Sequence, residues 1–575
     1  MIRPGRFAPR LLAALAALGL NSAAPPDGPE PVRIRVDASK DVGEMRPIWR
    51  FFGYDEPNYT YMKDGQKLLS ELSSLGREPV YVRAHNLLTT GDGTPALKWG
   101  STNAYREDAE GRPIYDWTIV DRIVDTYIAR GIRPYMQVGF MPEALSSKPD
   151  PYQHRWTPGG RESISTGWAY PPRDYAKWGE LVRRWVEHSV DKYGKAEVER
   201  WYWELWNEPN ILYWRGTPEE YQKLYDYTVD AVKRALPTAK VGGPHVAGGG
   251  SEGGMAFSRA FFEHCLRGTN HATGRVGTPI DFVAFHAKGS PTVFDGHVRM
   301  GIANQLRDID GGFSVVASFP ELKDKPIVIG ESDPDGCAAC PATLYPQNGY
   351  RNGALYASYT AASFARKYEL ADRRGVNLLG AVTWAFEFED QPYFAGFRVL
   401  ATNGVDLPVL NIFRMFGLMG GRRIGVESTG AIPLDAIRRS GVRGDSPDVG
   451  ALASMDDGNV CVLAWNYHDD DRAAPPSPVE VVLEKLPFAD GPVLLHHYRI
   501  DADHSNAFEA WKAMGSPAKP TPDQQKALER SGQLALLGSP EWVRVEGGKI
   551  TYRMTMPRQS VSMLRLTSGG GIRAR

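Results

Sequence analysis

Short apolar runs alternate with amphipathic segments along most of this chain. Eight of the runs are rich in aromatic and β-branched residues and end at turn-forming or polar residues, which predicts strands at 47–54, 80–88, 132–142, 200–209, 239–248, 281–289, 326–332 and 378–388. Apolar residues recur at helical spacing between them, at 116–131, 174–193, 217–235, 256–267, 351–374 and 409–419. This alternation of strand and helix is typical of an α/β fold, the (β/α)8 TIM barrel.

The segment "DWTIVDRIVDTYIARG" illustrates the helical pattern. Its apolar residues fall at i, i+3, i+4, i+7 and i+8, and they are Val120, Ile123, Val124, Tyr127 and Ile128. Asp116 is placed as the N-cap and Gly131 as the stop signal. The pattern predicts one amphipathic helix between the second and third strands.

The C-terminal part of the chain has another pattern. "VCVLAWNYH", "VLLHHYRI" and "KITYRMTM" alternate or run as strands between Pro- and Gly-rich turns. We therefore predict a barrel at 47–420 and an accessory β-sandwich at 421–567. The early strand "VRIRVDAS", within 31–46, is expected to join the sandwich.

The first residues have the order of a secretory signal peptide. Basic residues come first, an apolar run extends from Leu11 to Leu20, and small residues follow. The run is short for a membrane span, and no later run reaches about 18 apolar residues. We predict that residues 1–24 are a signal peptide and that the protein is exported, either to a periplasm or outside the cell, with no membrane attachment after cleavage. An uncleaved anchor is the alternative.

Charge and cysteine content narrow the classes of partner. The chain has 67 Lys and Arg against 68 Asp and Glu, a net charge of -1, which removes the electrostatic case for nucleic acid or an anionic membrane as a partner.

Of the four cysteines, Cys337 and Cys340 are closely spaced, but a zinc site would need two more ligands close to them in the sequence. A disulfide that pins a loop, or two ordinary thiols, is favoured over a redox site.

Polar residues stand at the predicted C-terminal ends of the strands, where the reacting groups of such barrels lie. These residues are Asp55, Glu56, His85, Asn207, Glu208, His245, His286, Glu331, Glu387, Glu389 and Asp390. Glu208 and Glu331 end the fourth and seventh strands, which face each other across the mouth. No metal ligands are grouped around them, so we predict neither a metal nor a cofactor. His245 is interpreted as structural.

The two facing carboxylates suit the cleavage of a glycosidic bond. One acid protonates the leaving oxygen while the other stabilises or attacks the anomeric carbon, and aromatic faces stack on sugar rings. Trp206, Trp384, Phe386 and Phe140 are expected to line the mouth. Glu208 ends the tryptophan-rich "WYWELWNEPN", so we expect desolvation to raise its pKa and let it donate a proton near neutral pH.

These motifs resemble a known family. "WYWELWNEPN" is similar to the acid/base strand of clan A glycoside hydrolases. "YVRAHNLL", "YDWTIVDRIVDTYIARGIRPYMQVGFMP", "DFVAFHA" and "YRIDADHSNAFEAWKAMGSP" resemble glycoside hydrolase family 39, which contains β-xylosidases and α-L-iduronidases. The likeness covers most of the chain after the predicted signal, including the accessory sandwich.

The resemblance implies roles for individual residues. Glu208 would be the general acid/base and Glu331 the nucleophile of a retaining double displacement. Contacts with the sugar are implied for a further set: Asn207 to the 2-hydroxyl, His85 and His286 to ring hydroxyls, Phe140 and Trp384 as walls, and Glu389 and Asp390 to hydroxyls on the far side of the ring. The partner is then a carbohydrate substrate.

One position departs from the family pattern. Family β-xylosidases commonly carry an aromatic residue just after the nucleophile, whereas this chain has Ser332 and Asp333 there. The side of the pocket that holds the leaving group is therefore expected to differ.

The resemblance implies the first of the following three functions, and the other two are alternatives to it. The first is an exo-acting enzyme that removes terminal β-D-xylosyl residues, and the second is a family relative of it that acts on α-L-arabinopyranosyl or α-L-iduronosyl residues. A uronic sugar would need cationic or backbone donors, and we identify no basic residue at the strand ends apart from Arg83. The third is a non-catalytic carbohydrate-binding protein, which the presence of both Glu208 and Glu331 disfavours.

Overall fold

A closed barrel of eight parallel strands forms the centre of the molecule. The computed structural model describes residues 30–568, so the predicted signal peptide lies outside the described residues. In chain order the barrel strands are Phe51–Tyr54, Tyr81–Ala84, Arg133–Val138, Tyr202–Leu205, Lys240–Val246, Phe282–His286, Ile327–Glu331 and Leu378–Thr383. They are buried almost throughout, which explains why they are apolar runs rather than alternating patterns. The predicted barrel is confirmed.

Helices surround this barrel. They are Lys63–Ser73, Thr118–Ala129, Tyr175–Tyr193, Lys195–Val198, Pro218–Ala235, Glu252–Arg267, Ile302–Ala317, Ala354–Arg374 and Pro408–Gly417, and the later part of the chain adds Leu434–Ser440, Ala507–Ala513 and Pro522–Ser531. Within residues 30–568, no helix is both long and apolar enough to span a membrane.

The helix Ile302–Ala317 has no counterpart in the sequence-based prediction. Gly311 and Gly312 lie inside it and lower its intrinsic helix propensity. Packing explains Gly312, because a Cβ there would lie 2.5 Å from the ring of Phe285 on the sixth barrel strand. The glycine lets the helix approach the strand closely, and this tertiary contact outweighs the local cost.

The helix between the second and third barrel strands begins one residue later than expected. Its N-cap is Trp117, and Asp116 precedes the cap. The Asp116 carboxylate still accepts a hydrogen bond from the backbone N–H of Thr118, at 3.0 Å. Gly131 has a φ of +73°, as a stop signal requires.

A second sheet of ten strands accompanies the barrel. Its strands are Val32–Glu44, Arg422–Ser428, Asp448–Asp456, Asn459–Tyr467, Ser477–Glu484, Gly491–Ile500, Ala535–Leu536, Glu541–Val545, Ile550–Met556 and Ser560–Ser568. Val32–Glu44 pairs antiparallel with Arg422–Ser428 and parallel with Ser477–Glu484, so the segment before the barrel is part of this sheet. Nine of the strands form one continuous hydrogen-bonded path, and Glu541–Val545 pairs beside it with Gly491–Ile500. The sheet has its own apolar core.

The cysteines follow the favoured interpretation. Cys337 and Cys340 form a disulfide in the loop after the seventh barrel strand. Cys265 and Cys461 are free and buried.

Candidate active site

Glu208 and Glu331 lie together at the C-terminal end of the barrel. Glu331 is the last residue of the seventh strand, and Glu208 follows the fourth. Both are buried, with 5% of Glu208 and 3% of Glu331 exposed. An oxygen of each carboxylate and a ring nitrogen of His286 lie within 4.8 Å of one another. This close approach matches a double displacement, since inverting enzymes hold their carboxyl groups roughly 6.5–9.5 Å apart to admit a water.

The chain turns sharply after the fourth strand to present Glu208. Trp206 and Glu208 have φ values of +65° and +44°, which residues with a side chain rarely adopt. Two hydrogen bonds hold the turn: the backbone N–H of Glu208 donates to the carbonyl of His245 at 3.0 Å, and the Trp206 indole donates to the carbonyl of Tyr213 at 2.9 Å. Local strain is thus maintained by the surrounding structure.

Lys288 joins the two carboxylates. Its ammonium lies 2.6 Å from Glu331 Oε2 and 3.1 Å from Glu208 Oε1. The sequence-based statement that no basic residue apart from Arg83 stands at the strand ends is therefore wrong. Lys288 comes two residues after His286 in "DFVAFHAKG", so its position next to a strand-end histidine was the available signal.

This ammonium governs the protonation of the pair. Burial alone would raise the pKa of Glu208, but Lys288 and His286 outweigh it and hold that pKa well below its usual range. Burial is also the largest influence on Glu331 and would raise its pKa, but Lys288 and His286 lower that pKa to about 2. The expected rise in the pKa of Glu208 is wrong for the free protein, because desolvation was considered without the cation. Both carboxylates are ionised while the ammonium stays between them.

A buried arginine, Arg83, contacts Glu331 and the neighbour of Glu208 in the chain, Asn207. Arg83 is completely buried, and it donates to Glu204 at 2.5 Å and to the Asn207 side-chain oxygen at 2.9 Å. It is thereby committed to the protein and is not free to bind a substrate carboxylate. The guanidinium also lies 3.5 Å from Glu331 Oε1. Asn207 and Glu331 are therefore positioned by one cation.

A chain of imidazoles reaches Glu208 from the same side. Glu204 contacts His245, whose Nδ1 lies 3.2 Å from His286 Nε2. The other ring nitrogen of His286 lies 2.9 Å from Glu208 Oε1. His245 is fully buried and contacts both Glu204 and His286, and its interpretation as a structural residue stays a prediction.

Comparison with known proteins identifies the family. The model of glycosyl hydrolases family 39 matches residues 32–533. The chain belongs to this family. It is 27% identical to a β-xylosidase of Geobacillus stearothermophilus, over 84% of this chain and 86% of the relative. It is 24% identical to the mouse (Mus musculus) α-L-iduronidase, over 87% of this chain and 75% of the relative.

A solved structure confirms the fold of this family 39 protein. A monomeric β-xylosidase from Caulobacter crescentus CB15 superimposes with a TM-score of 0.72 at 21% identity, covering 94% of this chain and all of that one. Family membership makes the protein a glycoside hydrolase, and the alternative of a non-catalytic carbohydrate-binding protein is not supported.

Several predicted sugar-binding residues of this family 39 hydrolase form one wall of the mouth. The ring of His85 lies 4.3 Å from that of Trp384 and 5.5 Å from that of Phe140, measured between centroids. Asp55 ties the wall together, since it accepts from the Trp384 indole at 2.9 Å and lies 3.0 Å from His85 Nδ1. Lys98, which sequence reasoning missed, is 2.5 Å from the other oxygen of Asp55.

Glu389 and Asp390 lie in a different environment. Glu389 accepts a hydrogen bond from the backbone N–H of Asp64 at 2.9 Å, and the backbone N–H of Asp390 donates to Asn403 at 3.0 Å. Among the described residues, none of their hydrogen bonds or ion pairs reaches the other predicted site residues. Their role in holding sugar hydroxyls stays a prediction.

The two residues after Glu331 face the protein interior. Asp333 is 1% exposed and accepts hydrogen bonds from the Trp384 backbone N–H at 3.0 and 3.1 Å. Burial raises its pKa, and the nearby Arg398 opposes that rise. Ser332 is buried as well. In place of an aromatic side chain, this hydrolase has a polar contact that holds Trp384.

Proposed function

We propose that this family 39 hydrolase is a retaining exo-glycosidase that removes a terminal uronic acid residue of the α-L-iduronosyl kind. The single observation that carries the proposal is Lys288, whose ammonium lies between Glu208 and Glu331 in the barrel mouth. A sugar carboxylate requires a cationic partner when it leaves water. Lys288 is 22% exposed and is within reach of an entering anion, whereas Arg83 is sealed off.

The same cation gives a reason why binding starts the reaction. A uronate that pairs with Lys288 draws the ammonium away from Glu208, and the pKa of Glu208 then rises because burial remains and the cation is gone. Glu208 can then take up a proton and act as the acid. A neutral sugar has no such effect on Lys288.

The bond changes follow those of a retaining enzyme. Glu331 attacks the anomeric carbon to form a glycosyl ester, while the glycosidic C–O bond breaks and Glu208 passes its proton to the leaving oxygen. The ester removes the negative charge of Glu331, so the pKa of Glu208 falls again. Glu208 then takes a proton from a water molecule as the water oxygen bonds to the anomeric carbon. The bond between that carbon and Glu331 breaks, which releases the sugar and restores the Glu331 carboxylate.

Terminal β-D-xylosyl residues are the second candidate substrate. The observation that favours them is the likeness to the Geobacillus stearothermophilus β-xylosidase, at 27% identity over most of both chains. The similar α-L-arabinopyranosides belong with this candidate. With such neutral substrates, the only role of Lys288 would be to lower the pKa values of Glu208 and Glu331.

A panel of aryl glycosides tests the proposal. We expect kcat/KM to be highest for an aryl α-L-iduronide, ahead of the β-D-xyloside and the α-L-arabinopyranoside. Lys288→Met should lower the ratio of kcat/KM for iduronide over xyloside by about 30-fold or more, as for the loss of one partner of a buried charge pair. Lys98→Met is the matched control, because Lys98 pairs with Asp55 and not with the catalytic carboxylates.

The outcomes separate the candidates. A higher kcat/KM for the xyloside, with an unchanged ratio in Lys288→Met, contradicts the uronic acid proposal and favours the second candidate. Turnover of no glycoside in the panel contradicts both.

We also propose that the protein is exported after removal of residues 1–24. The basic, apolar and small residues at the start of the chain support this. Mass spectrometry of the protein from its native host should find a first residue near Ala24, and an intact Met1 would contradict the proposal.

A further inference from the structure

A cluster of one carboxylate and two imidazoles lies in the helix layer outside the barrel. Asp226 is on the helix after the fourth strand, His264 is near the end of the helix after the fifth strand, and His271 is in the loop that leads to the sixth. A loop from a helix to the next strand belongs to the N-terminal face of such a barrel, opposite to the catalytic face. Glycoside cleavage makes no use of these residues.

The spacing of the cluster suits a tetrahedral metal ion. Asp226 Oδ2 lies 3.0 Å from His264 Nε2 and 2.9 Å from His271 Nδ1. The three ligand atoms lie within 4.8 Å of one another. Ligand atoms at about 2.0 Å from a tetrahedral Zn²⁺ are about 3.3 Å apart, so a small outward shift of the rings admits the ion.

The charge of Asp226 points to a cation. Its side chain is completely buried, and among residues 30–568 its ion-pair partners are the two histidines, with no Lys or Arg. A buried carboxylate with no Lys or Arg beside it is costly even when it accepts hydrogen bonds, because its charge is not paired. Zn²⁺ compensates that charge and takes neutral imidazoles as ligands.

Neighbouring groups orient the carboxylate and leave an open side. The Thr278 hydroxyl donates to Asp226 Oδ1 at 2.5 Å, and the backbone N–H of His271 donates to Oδ2 at 2.8 Å. Such outer hydrogen bonds are what position ligands in metal sites. The His271 side chain is 43% exposed, so the ion has an entry path and room for a water ligand.

We propose that Asp226, His264 and His271 bind one Zn²⁺, with a water as the fourth ligand. The ion joins two helices and the loop 268–278, which are separate elements in the sequence. Its contribution is to stability rather than to the reaction.

Zinc titration of the whole protein tests the site. The purified chain is stripped with a chelator, titrated with Zn²⁺ in a calorimeter and assayed for metal content, and its Tm is measured with and without zinc. We expect one zinc per chain and a higher Tm with zinc. His271→Ala should bind at least about tenfold more weakly and lose the rise in Tm. The exposure of His271 makes this variant compatible with folding.

His188→Ala is the matched control. His188 lies 2.7 Å from Asp121 but has no second imidazole beside it, so its loss should leave zinc binding unchanged. Retention of zinc by His271→Ala, together with inhibition of hydrolysis, would place the ion at Glu208, His286 and Glu331 and overturn the proposal. Absence of any zinc-dependent rise in Tm in the unaltered protein would overturn it as well.

Discussion

Lys288 determines the ionisation state of Glu208 and Glu331. Two buried carboxylates side by side would normally repel each other, and one would stay protonated. The ammonium at 2.6 and 3.1 Å lets both ionise in the free protein. Under the proposed function, the acid needed for the first step arises when the sugar carboxylate draws the ammonium away from Glu208, so proton uptake follows substrate binding.

Azide should distinguish the roles of Glu331 and Glu208. Glu331→Ala should lose at least ~10⁴-fold in turnover for every substrate. Glu208→Ala should keep glycosylation for good leaving groups such as dinitrophenolate but lose the base for deglycosylation. Azide needs no base, so it should restore Glu208→Ala with a product of retained configuration, whereas with Glu331→Ala it should give the inverted azide. Product stereochemistry by NMR is the measurement. An inverted azide from Glu208→Ala would reverse the assignment.

The pH dependence of kcat/KM for a neutral substrate should reveal the effect of the Lys288 charge on the two carboxylates. In the intact protein the cation lowers the pKa of Glu208 and the pKa of Glu331. Lys288→Met removes it, so both pKa values rise, and both limbs of the kcat/KM profile for an aryl xyloside should move to higher pH. Lys98→Met should move them less. A shift to lower pH, with the fold intact by circular dichroism, would contradict the assignment.

The loop after the seventh barrel strand depends on one arginine. Arg351 is fully buried, and its guanidinium donates to the Asp335 carboxylate and to the carbonyls of Cys337, Cys340 and Gly396. The disulfide closes the same loop. A covalent link and a buried cation thus hold the segment that follows Glu331.

Arg351→Met should destabilise this element strongly. It removes the nearer of the two arginines that pair with Asp335, leaving Arg398 at 3.5 Å, and it leaves several carbonyls without donors. Breaking a buried pair in this way costs roughly 3–5 kcal/mol. Arg173→Met is the control, since its side chain is 53% exposed in an ion pair with Glu107 and such pairs contribute about 1 kcal/mol or less. The fall in Tm on thermal unfolding is the measurement. Equal effects of the two substitutions would show that Arg351 is not essential to the loop.

One strand of the ten-stranded sheet contributes to two apolar cores, that of the barrel and that of the sheet. One face of the strand Asn459–Tyr467 places Leu463 and Trp465 in the barrel's cluster, while Val462 and Ala464 on the other face belong to the core of the sheet. The strand before the barrel lies inside the sheet, between Arg422–Ser428 and Ser477–Glu484. The two bodies are therefore in direct apolar contact through the strand Asn459–Tyr467.

The whole molecule should therefore unfold in a single transition. Loss of activity, tryptophan fluorescence and calorimetry should give coincident midpoints. Trp465→Ala, at a position 1% exposed, should lower that shared midpoint, with a cost of about 3–5 kcal/mol. Trp542→Ala, at a position 62% exposed, should leave it nearly unchanged. Two resolved transitions, with activity lost in only one, would show that the bodies are independent.

The amino-acid sequence by itself determined the barrel and the positions of Glu208 and Glu331. Periodicity is a local property, because a strand buried on both faces must be apolar along its length, and polar residues at its end must lie at the mouth. The helix Ile302–Ala317 escaped this reasoning because its glycines serve a contact with Phe285. There, packing outweighs propensity.

Only the tertiary structure decided which charges meet. Lys288 follows the sixth strand, yet its ammonium contacts carboxylates at the ends of the fourth and seventh strands. Arg83, the basic residue that the sequence led us to expect, instead forms an ion pair with Glu204. Barrel closure brings such residues together from distant parts of the chain. A pKa depends on these neighbours through distance and burial, so the protonation of Glu208 could not be read from the residues that flank it.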